Sequence, residues 1–351
     1  MGELKTATQP DESDIWMQKP ENGEIWASHT IHTHYFGFNI PEVAIGSFVY
    51  IRYMPVFNLC SGGVCLYKGL DNLKGIDVEH CNFLYTMPWP TLSEGNVIET
   101  VNGLKVTFLE LGKKARVQYE SKDGQTHFDI TQTAITPLLP RGHVMPHEDK
   151  QTDPTQRPGG SEQYMKCIGD LTLNGQDYKV NCYAVRDRSW RQVRTEDEVD
   201  YPPVGWSPIC FGEDLVFNQV GYDDTQVWKP IFEVDPEKPI YYFAWVITDG
   251  EVREVVKVNR NVIRYHPELY SVVEQEIDAE DSKGKKYSFH GEAIAVAHLP
   301  SWPNGVFIDG VYKWTDKESG RVTYCTYQEA WWSKYQRFMR GKVSPEGKFI
   351  G

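Results

Sequence analysis

Long hydrophobic runs are missing from this chain of 351 residues: nowhere do about 18 apolar residues follow one another, so no membrane-spanning helix is expected. The opening stretch from Met1 to Pro20 is polar and acidic and lacks the apolar core of a secretion signal. The seven cysteines, at 60, 65, 81, 167, 182, 210 and 325, are therefore expected as reduced thiols of a cytoplasmic protein. Positive charge is scarce as well, with 36 Lys and Arg against 49 Asp and Glu and a formal net charge of −13. No basic patch is interleaved with aromatic residues, which excludes nucleic acid and anionic membrane surfaces as partners. No G-x-G-x-x-G turn, P-loop or G-x-S-x-G elbow occurs, leaving no motif for a nucleotide cofactor or a serine triad. Cys60, Cys81 and Cys210 have no His/Asn arrangement for a cysteine nucleophile. Cys60 and Cys65 lack a second Cys/His pair of ligand spacing, so no metal is expected; Ser61-Gly62-Gly63 between them reads as a hairpin turn. Helical periodicity is almost absent too.

Short aromatic and β-branched runs fill the chain instead. Hydrophobic residues make up 40% and aromatics 13%, ample for a core and against disorder. Strands are expected at 25–40, 46–54, 64–67, 82–86, 103–110, 115–120 and 127–134, with a hairpin loop at 120–125. A second set is expected at 163–173, 177–185, 209–219, 225–228, 240–248, 252–264, 271–278, 286–298, 305–314 and 320–332. Between the sets, residues 137–160 hold five prolines and read as an inter-domain connection or a lid. His143 and His147 lie there around Pro146, a solvated loop rather than a helical ligand pair. The expected organisation is an all-β chain with a flexible lead-in at 1–23 and a first β domain at 24–136. A second β domain at 161–335 and a tail at 336–351 follow.

The run Asn181 to Trp190 has the period-two pattern of a strand. Tyr183, Val185 and Asp187 fall on one face, and Ala184, Arg186 and Arg188 on the other. If Asp187 points into an apolar cavity, burial favours its protonated form and a nearby Arg opposes that, which makes it a general acid or base. The alternative is a structural Arg–Asp pair locking neighbouring strands. The turn Asn174-Gly175-Gln176 folds this strand back on Gln163–Leu173, placing Glu162 opposite roughly residue 188. Two carboxyls so close would separate into one acid and one base. Glu162 as an exposed edge charge is the alternative. On the first strand His32 and His34 share a face and His29 points away, read as pocket lining or surface.

The run Tyr183-Ala-Val-Arg-Asp-Arg-Ser-Trp190 resembles the R-D-R-S-W-G signature of the tandem lipocalin-like superfamily. That group includes carotenoid 1,2-hydratases, AttH-like proteins, kievitone hydratases and fungal Diels–Alderases. Phe36-Gly-Phe38 with Gly46-Ser-Phe-Val-Tyr-Ile-Arg52, Glu162-Gln163, and Tyr324-Cys-Thr-Tyr-Gln-Glu-Ala-Trp331 add to the resemblance, which spans residues 24–335. The chain departs from the pattern at Arg191, where the family has Gly, and at Val185, where hydratases carry Tyr. It also has Gly160-Ser161 where a His often precedes the Glu-Gln pair. The last two departures argue against carotenoid hydration.

The resemblance implies two lipocalin-like barrels and chemistry without a cofactor. Eleven Trp, twenty Tyr and fifteen Phe suit an aromatic cavity for a hydrophobic small molecule. The expected activity is hydration, dehydration or isomerisation of a terpenoid-like alkene or alcohol, with Asp187 and Glu162 as acid and base and Arg186 or Arg188 orienting Asp187. Tyr183, Trp190, Arg188, Glu329, Trp331, Phe36 and Phe38 are the expected substrate contacts. The competing expectations are a non-catalytic carrier and a Diels–Alderase-type pericyclase. A homo-oligomer is compatible with all of them.

Overall fold

The computed structural model describes residues 9–74, 77–140, 159–194, 202–222, 225–232, 241–302 and 305–351. The regular structure of the described residues is nearly all strand, and the chain divides into two compact units, Met1–Tyr67 with Val78–Thr195 and Lys68–Asp77 with Glu196–Gly351.

The first unit is one sheet. It contains β1 (Thr30–Phe36), β2 (Asn39–Ile40), β3 (Ile45–Met54), β4 (Leu59–Lys68), β5 (His80–Pro88), β6 (Leu92–Ser93) and β7 (Val97–Glu99). It continues with β8 (Leu104–Glu110), β9 (Lys114–Glu120), β10 (His127–Ala134), β11 (Leu139–Pro140), β12 (Gly159–Leu173) and β13 (Gln176–Val193). The order is β5-β4-β3-β1-β13-β12-β10-β9-β8-β7-β6, with β2 on β3 and β11 on β12. In β8 to β10 the pleat separates the two solvents: Leu104, Val106, Val117, Tyr119, Phe128 and Ile130 turn into the core, while Arg116 and Asp129 pair outside. Each such buried side chain contributes about 1.5–3 kcal/mol, and a one-residue slip would bring the charged row inward. The curled sheet thus has a core face and an opposite face.

The longest hairpin fixes the register that matters most. Asn174 and Gly175 take φ of 51° and 80°, the two left-handed positions of a type I′ turn, which Asn-Gly tolerates best. Leu173 consequently faces Gln176, and the pairing runs without a slip to Gly159 and Trp190. β13 also pairs with β1, and β12 with β10.

Several expectations change here. The hairpin carrying Arg186-Asp187-Arg188 belongs to the first unit, not to a second domain at 161–335, because both its outer edges are hydrogen-bonded into the first sheet. Leu139 and Pro140 already pair with β12, while 141–158, with His143 and His147, lie outside the described residues. The lead-in is not loose throughout, since Asp11–Ile15 forms a 3-10 turn with Ser13 and Asp14 buried. Ser61-Gly62-Gly63 is strand, not turn: both glycines are extended at positive φ (136° and 145°), where a side chain would strike the Tyr50 and Asn82 carbonyls.

The second unit is a closed antiparallel barrel. Its strands are β14 (Val204–Cys210), β15 (Leu215–Tyr222), β16 (Tyr241–Thr248), β17 (Glu251–Tyr265), β18 (Val272–Asp281), β19 (Lys286–Trp302), β20 (Gly305–Asp316) and β21 (Val322–Trp332). Pairing of β14 with β21 closes it, which removes every sheet edge. Thr225–Trp228, expected as strand, is a single helical turn, α1. Residues 336–351, expected as a tail outside the domains, are packed: Ser333–Met339 forms α2, Met339 is buried, and Phe338 lies tilted against Trp228 and stacks on Phe349.

Candidate active site

The two-residue turn places Glu162 directly opposite Asp187. Opposed residues of an antiparallel pair project to the same face, with Cβ atoms about 4.5–5.5 Å apart. Glu162 is 2% exposed and is faced on its other side by Leu139 of β11, which is 3% exposed. Asp187 is half-buried. Across β1 it faces Tyr35, which in turn faces Tyr50 of β3. The Tyr35 and Phe48 rings are 5.5 Å apart, and Phe48 and Tyr50 are 5.2 Å apart. One pair further along, Thr33 bonds Ser189 through their hydroxyls at 2.6 Å, with Arg52 opposite Thr33. This face therefore combines two carboxyls, an arginine and a row of aromatic rings. Tyr183 lies on it too, two steps from Val185, under the Lys166 ammonium at 4.6 Å.

The other expected contacts turn the opposite way. Arg186, expected to orient Asp187, points to the core face and grips Asp14 with both terminal nitrogens, at 3.0 Å each. Asp14 also accepts the Gly112 N–H at 2.7 Å. Gln163 completes the lock, accepting Arg186 Nε at 2.7 Å and donating to the Gly112 and Thr136 carbonyls. Arg188 is caged by carbonyls of Ser13, Trp16, Thr33 and Ser189, and burial pushes it down to about 10, still charged at neutral pH. Trp190 packs edge-on against Trp16 at 5.1 Å, Phe36 stacks on His34, and Phe38 meets Phe128. Arg186 and Arg188 thus form the structural lock, with Asp14 rather than Asp187 as the carboxylate partner of Arg186.

His32 and His34 are both buried, contrary to a surface position. Each reaches a carbonyl through Nε2, His32 to Gln18 and His34 to Asp14, at 2.9 Å. A carbonyl only accepts, so Nε2 carries the proton and Nδ1 receives the Arg191 N–H and the Tyr53 hydroxyl respectively. Burial, then the Arg188 charge, pushes His32 down to about 3 and His34 well below its usual value. Both are neutral struts. Arg191 adopts φ of 54°, the left-handed backbone that the usual glycine would supply, and its guanidinium covers Trp26 at 4.4 Å.

Glu329 and Trp331 sit in the barrel interior on β21. Glu329 accepts Tyr327 Oη at 2.6 Å, Trp331 Nε1 at 2.9 Å, the Val272 N–H at 3.0 Å and Arg260 at 3.2 Å. The Arg260 and Glu329 side chains are each 1% exposed. Among the described residues, no group of three or more His, Cys, Asp or Glu is placed to hold a metal ion, and no helix is long and apolar enough to cross a membrane.

The chain belongs to a family described as a domain of unknown function (DUF7064), matched over residues 11–332. This DUF7064 chain is similar in structure to an AttH-type protein of Nitrosomonas europaea, with TM-score 0.54, 12% identity and coverage of 95% of this chain and 100% of that one. It is also similar to CghA, with TM-score 0.50, 11% identity and coverage of 87% and 88%. Kievitone hydratase of Nectria haematococca aligns at TM-score 0.49 and 12% identity over 95% of each chain. No curated protein matches the sequence. At such identities the likeness to the AttH-type protein and to CghA shows a shared fold alone.

Two residues of the DUF7064 chain escaped sequence reasoning. Asp14 stands in a polar lead-in, 172 residues from its partner, with no local signal. Arg52 could have been found: Tyr50-Ile51-Arg52 alternates cleanly, so once β3 is placed beside β1 the tyrosine and the arginine share the Asp187 face.

Proposed function

We propose that the protein is a cofactor-independent hydratase, dehydratase or isomerase of a hydrophobic alkene or alcohol, with Glu162 and Asp187 as its acid–base pair. The observation that carries this reading is their direct opposition on β12 and β13. Two carboxylates at that separation repel, so the pair retains one proton between them at neutral pH. We place the proton on Glu162, which is buried and flanked by Leu139, and leave half-buried Asp187, whose Oδ2 is also shut off from solvent, as the anion. Glu162 then delivers its proton to an alkene carbon or a leaving hydroxyl. Asp187 takes a proton from the adding water for hydration, or from the carbon next to the cation for elimination and isomerisation. Faces of Tyr35, Phe48 and Tyr50 stabilise the cationic carbon by about 0.5–2 kcal/mol each. The chemistry moves only protons and water, so it needs no redox cofactor. Arg52 supplies the positive charge on this face, the role expected of Arg186.

The test is native mass spectrometry of protein purified from its own host, identification of the co-purified hydrophobic molecule, and incubation of that molecule with wild type, Asp187→Asn and Glu162→Gln. The reading expects a product differing by one water, or an isomer, from wild type only, with each variant slower by about 10²–10⁴-fold. A tightly held molecule returned unchanged by wild type would identify a carrier. Turnover surviving in Asp187→Asn would identify a shape-driven pericyclase.

A further inference from the structure

Six of the seven cysteines are buried, and Cys81 is exposed. It lies on β5, which forms an edge of the first sheet. Directly opposite it on β4 stands Cys65, 1% exposed. Opposed Cα atoms of an antiparallel pair are about 4.5 or 5.5 Å apart, both within the range a disulfide spans. The two thiols are already in contact: Cys65 S–H donates to the Cys81 sulfur and pulls Cys81 down to about 7, burial opposing and the Phe83 N–H assisting. At Cys60 and Cys210 burial dominates and raises the thiol, Cys60 to about 11 and Cys210 further, whereas Cys182 is lowered by the Cys167 thiol beside it. Cys167 and Cys182 are also directly opposed, but both are buried, so they provide an internal control for access.

We propose that Cys81 and Cys65 form a peroxide-sensitive thiol pair, with Cys81 as the attacking sulfur and Cys65 as the resolving one. The Cys81 thiolate attacks one oxygen of a hydroperoxide; an S–O bond forms, the O–O bond breaks, and the departing oxygen takes a proton from solvent. Cys65 then attacks the resulting Cys81 sulfenic acid; the S–S bond forms, the S–O bond breaks, and the hydroxyl leaves as water with the Cys65 proton. With hydrogen peroxide the sum is two thiols and one peroxide giving one disulfide and two waters. The disulfide closes the loop over 66–80 and fixes the edge strand β5 to β4. β5 also carries Phe83 and Tyr85, whose rings extend the row that begins at Tyr35 and Phe48. A thiol that is both ionised and accessible is the reactive kind, and a partner thiol beside it diverts the sulfenic acid from irreversible oxidation.

The test uses the full chain. Wild type is exposed to a small excess of hydrogen peroxide at pH 7, alkylated in denaturant and mapped by peptide mass spectrometry. The expected result is loss of two hydrogens in a Cys65–Cys81 linked peptide, reversed by dithiothreitol, with Cys167 and Cys182 alkylated in full. Native alkylation of unoxidised protein should label Cys81 first, half-maximally near pH 7. Cys65→Ala should leave a sulfenic acid on Cys81 that dimedone traps, and should move the alkylation midpoint upward because the S–H donor is gone. A wild-type map without the Cys65–Cys81 link, or with Cys167–Cys182 linked instead, overturns the proposal and requires no variant to fold.

Discussion

Replacing Asp14 by alanine is the sharpest test of the core lock, because it asks whether a residue in the lead-in holds the sheet together. Asp14 is 1% exposed and accepts two bonds from Arg186 and one from Gly112. Truncation leaves the Arg186 guanidinium buried at 5% exposure with Gln163 as its remaining acceptor among those bonds. Breaking a buried pair in this way costs about 3–5 kcal/mol. For a unit of this size each kcal/mol shifts the midpoint by about 2–4 °C, so the fall should be roughly 6–20 °C. The assay is thermal and urea unfolding followed by tryptophan fluorescence, with Trp16 and Trp190 reporting directly on the docked segment. Arg186→Met alone and Asp14→Ala/Arg186→Met complete the cycle, and a coupling of about 1–3 kcal/mol is expected. If Asp14→Ala loses less than about 1 kcal/mol, the lead-in is not part of the folded core and the assignment of Arg186 to structure is wrong.

The two neutral histidines predict a particular acid limb. With folded values below the ordinary 6.5, the unfolded chain binds protons that the folded chain does not, so stability is complete above 6.5 and falls as pH drops. For His32 the window runs from 6.5 down to about 3, at about 1.4 kcal/mol per pH unit for each histidine. Urea midpoints from pH 7.5 to 4.5 should show this slope, reduced by one proton in His34→Phe; equal slopes in the two proteins would contradict the burial argument. In the barrel, Glu329→Ala leaves Arg260 buried with the Tyr327 hydroxyl, Trp331 N–H and Val272 N–H deprived of their acceptor, at a cost of about 3–5 kcal/mol. A loss below about 1 kcal/mol by urea titration would show the pair to be dispensable.

The β-rich architecture was legible because its signals are local. The Asn174-Gly175 turn, the alternation in β8 to β10, and valines favouring strand in β17 all act within a few residues. The register was legible to within one residue: taking the turn as three residues put position 188 opposite Glu162, and the two-residue turn puts Asp187 there. The domain boundary was misjudged because the proline-rich segment interrupts the sequence of the first sheet without ending it, and nothing local says that β12 pairs with β10. The candidate site was half legible. Period two separates Asp187 from Arg186 and Arg188, so an orienting role for either was at odds with the pattern. Which face carried the core depended on Asp14, a contact across 172 residues that no local rule encodes.

The central claim is that the opposed Glu162 and Asp187 hold one proton between them. Infrared spectroscopy of the carboxyl C=O stretch, recorded at neutral pH on wild type, Glu162→Gln and Asp187→Asn, tests it without knowledge of the substrate. The account predicts a protonated-carboxyl band in wild type that vanishes in Glu162→Gln. In Asp187→Asn, where the repulsion is gone, the band should disappear at lower pH than in wild type. A wild-type spectrum without that band, or a band unchanged in both variants, would contradict it.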